Sequence, residues 1–273
     1  MPADVNAILD DLRAEQADLD RIVAPLPPQR WETPTPAEGW SVRDQISHLW
    51  YFDLRATLSA VDPARFTSEL SDVVANPDRF MSVPVERGRA MQIGELLGSW
   101  RDGRVRLLDA FAAADPAVRL PWYGPAMSLA SFATARLMET WVHGQDIVDA
   151  LGVEREPTPR LRHVAHIAVK ARPFNYASNG KKLPDTDVYV AVRAPDGSTW
   201  EWNDPESADR VSGDALEFCL VTTQRRHISD TDLVVEGKRA AEWMGIAQAF
   251  AGPPGPGRRP GQFPKAGRST APA

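Results

Sequence analysis

A single cysteine, Cys219, stands in 273 residues, so an internal disulfide and a cysteine-based zinc motif are both excluded. That scarcity fits a reducing cytoplasm. No run approaches the ~18 uncharged apolar residues of a membrane span. The opening "MPADVNAILDDL" lacks a basic segment followed by an apolar one, so no signal peptide is expected and the chain reads as cytoplasmic. Cations are the minority charge, 31 Lys and Arg against 37 Asp and Glu, for a net charge of -6 and a pI near 5.4. A chain with so few spare cations is not a general binder of nucleic acid. Arg258, Arg259, Lys265 and Arg268 lie beyond residue 251 with no acid among them, so the remainder is more acidic still. Internal repeats, a glycine-rich phosphate loop and a G-x-S-x-G elbow are also missing.

What is present suits a globular protein: 43% of the residues are hydrophobic, enough at this length for a substantial core. Val5, Ile8, Leu9, Leu12, Leu19, Ile22 and Val23 recur at helical spacing and predict a first helix that stops before "PLPP". A second starts near Ser41, with Asp44 three residues on as a capping-box partner. On it Gln45, His48 and Phe52 share one face. Residues 62–90, with prolines at 63, 77 and 84, read as a long connection of the kind that serves as a lid. A third helix carries Ile93, Leu96, Leu97, Trp100, Leu107, Leu108 and Phe111. A fourth runs from about Ser128 to Leu151 and ends at Gly152. Four amphipathic helices pack naturally as a four-helix bundle.

The pattern changes near residue 155. A fifth helix, "TPRLRHVAHIAVKA", precedes "DVYVAVRAPDGSTWEWN", where alternation on both sides of Asp196-Gly197 predicts a β-hairpin. "ALEFCLVTT" fits a helix or a strand, "DLVVEG" a strand, and "AAEWMGIAQAF" a closing helix. The expected organisation is an α-helical unit over 1–155, a smaller α+β domain over 156–251, and a disordered tail over 252–273.

Two stretches carry the chemistry. In "LMETWVHGQD", Glu139 and His143 are four apart, which puts their Cβ atoms about 5–6 Å apart on one helix face. They are two ligands from one helix or a polar pair on its surface; spacing alone leaves both open. His48, hemmed by Ile46, Leu49, Trp50 and Phe52, is a core histidine or a third ligand from another helix. Two histidines and a glutamate form a set that zinc, nickel, iron or manganese accepts, and three protein ligands leave positions for water or substrate. Asp44, one turn before His48, is a candidate to orient that imidazole, with helix capping as the alternative.

"GWSVRDQISHLWYFD" followed by "LMETWVHGQDIVDALG" resembles the paired signature of the DinB-like superfamily, in its branch of mycothiol-dependent maleylpyruvate isomerases. The resemblance covers residues 1–151 by motif and extends loosely to about 251. "RLRHVAHIAVKARPF", "FCLVTTQRRH" and "IAQAFAGPPGPGR" resemble an actinobacterial metal-binding subfamily of that branch. It implies a metal-binding four-helix N-domain and a smaller α+β C-domain of sterol-carrier-like type. Position by position it implies His48, Glu139 and His143 as the metal ligands, zinc foremost. It implies thiol-dependent isomerisation or S-transfer with mycothiol as cosubstrate and a small molecule as substrate. In such relatives a C-domain arginine serves the site, which marks Arg225 and Arg226 as candidates for a substrate carboxylate. The same three ligands also suit metal-hydroxide hydrolysis without a thiol, or a structural metal in a small-molecule carrier. His163 and His166 read as interface residues, Cys219 as a core thiol, and Trp100, Trp122 and Trp141 as core or pocket wall.

Overall fold

Helix α1 (Val5–Val23) opens where the Asp4 carboxylate accepts the backbone N–H groups of Asn6 and Ala7, and its apolar stripe buries Ile8, Leu9, Leu12, Leu19 and Val23. In the computed structural model, which describes residues 4–75 and 79–263, the elements follow in order. They are α2 (Pro28–Trp31), α3 (Val42–Val61), α4 (Pro63–Ala75), α5 (Arg79–Ala90), α6 (Ile93–Ala113), β1 (Arg119–Leu120), β2 (Met127–Ser128) and α7 (Leu129–Leu151). Then come α8 (Leu161–Lys170), α9 (Arg172–Ser178), β3 (Tyr189–Arg193), β4 (Thr199–Trp202), β5 (Arg210–Asp214), α10 (Ala215–Thr222), β6 (Val234–Glu236) and α11 (Lys238–Met244). The protein is mostly helical with small sheets, and it divides into two compact units, Met1–Arg155 and Glu156–Ala273.

In the first unit α3 packs on α6 and α7, and α1 packs on α7 and α6. Leu19, Val23, Trp31, Val42, Ile46, Leu49, Leu96, Trp100 and Ile147 form one core from all of these helices. Local signals set the helix ends. Ser41 and Asp44 form a complete capping box at the start of α3, Ser128 caps α7, and Gly152 closes α7 at φ 66°, ψ 34°, where a side chain would be strained.

The expected connection over 62–90 is corrected: it contains α4 and α5. Pro63 does not break a helix but begins one, the position where a missing N–H costs nothing, and Asp62 accepts from the Arg65 N–H to cap it. Pro84 lies inside α5, where its carbonyl accepts the Ser47 hydroxyl at 2.5 Å. Pro77 lies outside the described residues.

In the second unit the sheet order is β4-β3-β5-β6, with β3 antiparallel to β4, parallel to β5, and β5 antiparallel to β6. The hairpin register pairs Val190 with Trp202 and Val192 with Trp200. "ALEFCLVTT" resolves as helix α10, capped by Asp214, with Ala215, Phe218, Cys219, Leu220, Val221 and Thr222 all buried. Only Leu216 and Glu217 are partly exposed, so too little polar face remains for a period to be read. Residues 252–263, expected to be part of a disordered tail, make defined contacts: the Gly261 N–H donates to Asp230 at 2.8 Å, and Gln248 donates to the Gly252 carbonyl at 3.1 Å. The rest of that tail, 264–273, lies outside the described residues. No helix among the described residues is long and apolar enough to cross a membrane.

Candidate metal centre

The capping box that starts α3 puts His48 two turns into that helix, and α7 carries Glu139 and His143 one turn apart. Because α3 packs on α7, the three side chains meet. His143 Nε2 lies 3.2 Å from Glu139 Oε2, and His48 Nε2 lies 3.5 Å from the same oxygen. One ligand atom from each residue falls within 4.8 Å of the others. A tetrahedral ion with bonds of ~2.0–2.1 Å separates its donors by about 3.3 Å, so the set is spaced as a chelating site is. Both imidazoles are buried, while Glu139 is partly exposed, which leaves the site open on one side.

The charge balance favours a cation. Burial pushes His48 down to about 3, helped by the charge of His143 and opposed by the Glu139 carboxylate, so its ring is neutral. Burial alone would raise Glu139, but hydrogen bonds to His143 and His48 outweigh it and hold the carboxyl well below its ordinary range. A carboxylate thus sits among ring nitrogens in a largely dry pocket. The nearby Arg136 does not neutralise it, because its guanidinium is committed to Asp53 at 2.9 Å. Burial raises Asp53, with Arg136 pulling the other way. His48 Nδ1 is buried and, among the described residues, has no hydrogen-bond partner.

Of the two roles open to Asp44, orienting His48 or capping the helix, its contacts are those of the cap. Its oxygens accept from the Ser41 N–H and hydroxyl and from Arg89, at 2.8–2.9 Å, so helix capping and an ion pair consume it. The polar neighbour that does reach the site is Gln45, whose Oε1 lies 2.5 Å from His143 Nδ1. The signal for it was the shared face of Gln45, His48 and Phe52. Trp40 was also missed: its ring sits 5.3 Å from that of His48 and stacks at 6.0 Å on that of His143. It lies in the turn before α3, where no periodicity marks it. Phe52, 4.6 Å from His48, continues the wall toward Phe80, Trp122 and Tyr123. Trp122 is therefore part of an aromatic wall. Trp100 is fully buried in the core, and Trp141 is a buried residue whose ring meets the Arg155 guanidinium.

Arg225 and Arg226 belong to the second unit. Arg225 Nη1 donates to the Thr223 carbonyl and its guanidinium lies 5.8 Å from the Phe250 ring; Arg226 donates to the Arg225 carbonyl and lies 4.4 Å from the Phe263 ring. His166 Nδ1 accepts from Trp202 Nε1 at 3.2 Å. Cys219 is fully buried, and its thiol faces the Leu161 carbonyl at 3.5 Å.

A family model described as the mycothiol maleylpyruvate isomerase N-terminal domain matches residues 12–148, which spans α1 through most of α7 and includes the three converging side chains. The chain belongs to that family. Two Mycobacterium tuberculosis proteins, "Uncharacterized protein MT0041" (strain CDC 1551 / Oshkosh) and "Uncharacterized protein Rv0036c" (strain ATCC 25618 / H37Rv), are each 45% identical over 256 residues, covering 94% of this chain and 100% of theirs. Two solved structures, the mycothiol-dependent maleylpyruvate isomerase and a single-residue variant of it, match with TM-score 0.56. They cover 82% of this chain and 90% of theirs, at 15% and 14% identity, which is a likeness of fold.

Proposed function

We propose that this protein is a divalent-metal-dependent enzyme that uses a low-molecular-weight thiol of the mycothiol kind for isomerisation or S-transfer on a small electrophilic substrate. The observation that carries the reading is the convergence of His48, Glu139 and His143 in a chain of this family. In this reading the first unit is a four-helix bundle of the DinB-like type, and the second is a sterol-carrier-like α+β domain. His48, Glu139 and His143 would hold the ion, zinc being the foremost choice for two imidazoles and a carboxylate. Once bound, the ion supplies positive charge that keeps a thiol in its thiolate form at neutral pH.

The chain's own residues do the rest. Glu139 stays ionised and His48 stays neutral, so neither of these two ligands needs a proton removed at neutral pH. Trp40 and Phe52 line the imidazoles with apolar surface, which excludes water and strengthens electrostatics within the pocket. Arg225 or Arg226 is the proposed partner for a substrate carboxylate. A cytoplasmic location, where such thiols reside, completes the reading.

The test is metal analysis followed by thermal shift. Wild type should purify with, or take up, close to one zinc per chain, and His48→Ala and Glu139→Ala should each lose it. Mycothiol added to the zinc-loaded protein should raise the melting temperature, since a ligand at 100 times its Kd stabilises by about 2.7 kcal/mol. Unchanged metal content in both variants would overturn the site, and absence of a mycothiol shift would overturn the thiol.

A further inference from the structure

We propose that Gln45 is a positioning residue that fixes the proton of His143 on Nδ1 and so aims the Nε2 lone pair at the cation site. The proposal rests on the reading of His48, Glu139 and His143 as metal ligands. It follows from a chain of hydrogen bonds whose direction can be read from its far end. The Trp40 carbonyl can only accept, and it lies 2.9 Å from the Thr35 hydroxyl. A second acceptor, the Ala37 carbonyl, lies 3.5 Å from the same hydroxyl. The Thr35 proton is therefore spent on carbonyl oxygen, and Thr35 Oγ1 turns a lone pair to Gln45 Nε2, which donates to it at 2.9 Å.

With its NH₂ committed to Thr35, Gln45 presents Oε1 to His143, and that oxygen can only accept. His143 Nδ1 must then be the donor. The opposite order would turn hydroxyl lone pairs toward both carbonyls. With its proton on Nδ1, His143 presents the Nε2 lone pair to the cation site, where Nε2 lies 3.2 Å from the Glu139 carboxylate oxygen. In the absence of a cation a hydrogen bond bridges these two atoms, and a divalent cation between them takes the place of its proton. Gln45 and Thr35 are buried, so water does not compete for these bonds. The anchor is rigid as well: the Thr35 N–H donates to the same Trp40 carbonyl at 2.7 Å, and Pro34 pairs with Ser41 beside the α3 cap. The turn that places the Trp40 ring on both imidazoles thus also orients one of them.

Ligand-orienting partners of this kind are worth about 10–100-fold in metal affinity. The experiment measures zinc affinity by chelator competition for wild type, Gln45→Leu, Gln45→Glu and Thr35→Val, with ¹⁵N-histidine NMR of each zinc-loaded protein. Gln45→Leu should bind zinc about 10–100-fold more weakly and lose the protected Nδ1–H signal of His143. Gln45→Glu keeps the acceptor toward His143 but loses the donor to Thr35, so it should retain the Nδ1–H signal and bind zinc more tightly than Gln45→Leu does. Thr35→Val, which removes only the remote link and serves if Gln45→Leu does not fold, should weaken binding in the same direction. Equal zinc affinity in wild type, Gln45→Leu and Thr35→Val would overturn this role while leaving the metal site intact. A wild type that binds no zinc would overturn the metal site and the role together.

Discussion

The ion pair between Arg136 and Asp53 offers a sharp test of how the core beside the metal centre is held. The two side chains are 3% and 1% exposed, and Arg136 reaches Asp53 Oδ1 through Nε at 3.0 Å and Nη2 at 2.9 Å. The other carboxylate oxygen, Oδ2, is buried and, among the described residues, has no hydrogen-bond partner. Arg136→Met removes the cation and leaves a buried carboxyl alone, a change that typically costs about 3–5 kcal/mol. At about 2–4 °C per kcal/mol for a unit of this size, the melting temperature should fall by roughly 6–20 °C. Replacing both residues by apolar ones of similar volume, Asp53→Leu with Arg136→Met, removes the stranded charge. Because Oδ2 is unsatisfied in the wild type, the pair is imperfect, and the double variant should recover most of the loss. Calorimetry of the metal-free protein reads both effects without interference from zinc linkage. A single variant that melts within a degree or two of wild type, or a double variant as unstable as the sum of the singles, would refute the reasoning.

Asp20 accepts from Arg101 and Arg104; burial alone would raise its carboxyl, but these guanidiniums hold it below the ordinary 3.8. Its contribution is therefore present above pH 3.8 and lost as pH falls below it, so acid denaturation of Asp20→Asn should show a shallower limb in that range, with a loss of about 1.5–3 kcal/mol at pH 7. A Cβ at Gly88 would stand 2.2 Å from Ser47 Oγ and 2.3 Å from Ser47 Cβ, so Gly88→Ala should force α5 away from α3 at a cost of about 1–3 kcal/mol; urea denaturation checks it. Cys219 has no exposed surface, and burial followed by the charge of Asp214 pushes its thiol far up. A thiol reagent should leave the folded protein untouched and label one cysteine per chain in urea.

Much of the helical unit was legible because its punctuation is local. A serine with an aspartate three residues on, or a glycine just past an apolar stripe, works through bonds spanning a single turn. The hairpin was legible for the same reason: Asp196-Gly197 and the alternating valines and tryptophans act over a few residues. Prolines misled where their register mattered, since Pro63 starts α4 and Pro84 rides inside α5. Helix α10 was ambiguous because burial of six of its eight residues leaves almost no polar face from which a period is read.

The site divides along the same line. His48 and the Glu139–His143 pair announce themselves by residue type, position on a helix and family motif, so the sequence alone determined which side chains to bring into question. Their meeting at one carboxylate oxygen, and the pairing of Gln45 with His143 across 98 positions and of Arg136 with Asp53 across 83, depend on how α3 and α7 pack. Asp44 shows the converse: its place one turn before His48 suggested a partner, yet Ser41 and Arg89 claim both oxygens. Spacing along a chain constrains only neighbours on the same element. Which polar group satisfies which, once both are buried, is decided by helix packing, because only there do desolvation and hydrogen-bond geometry select one partner among several.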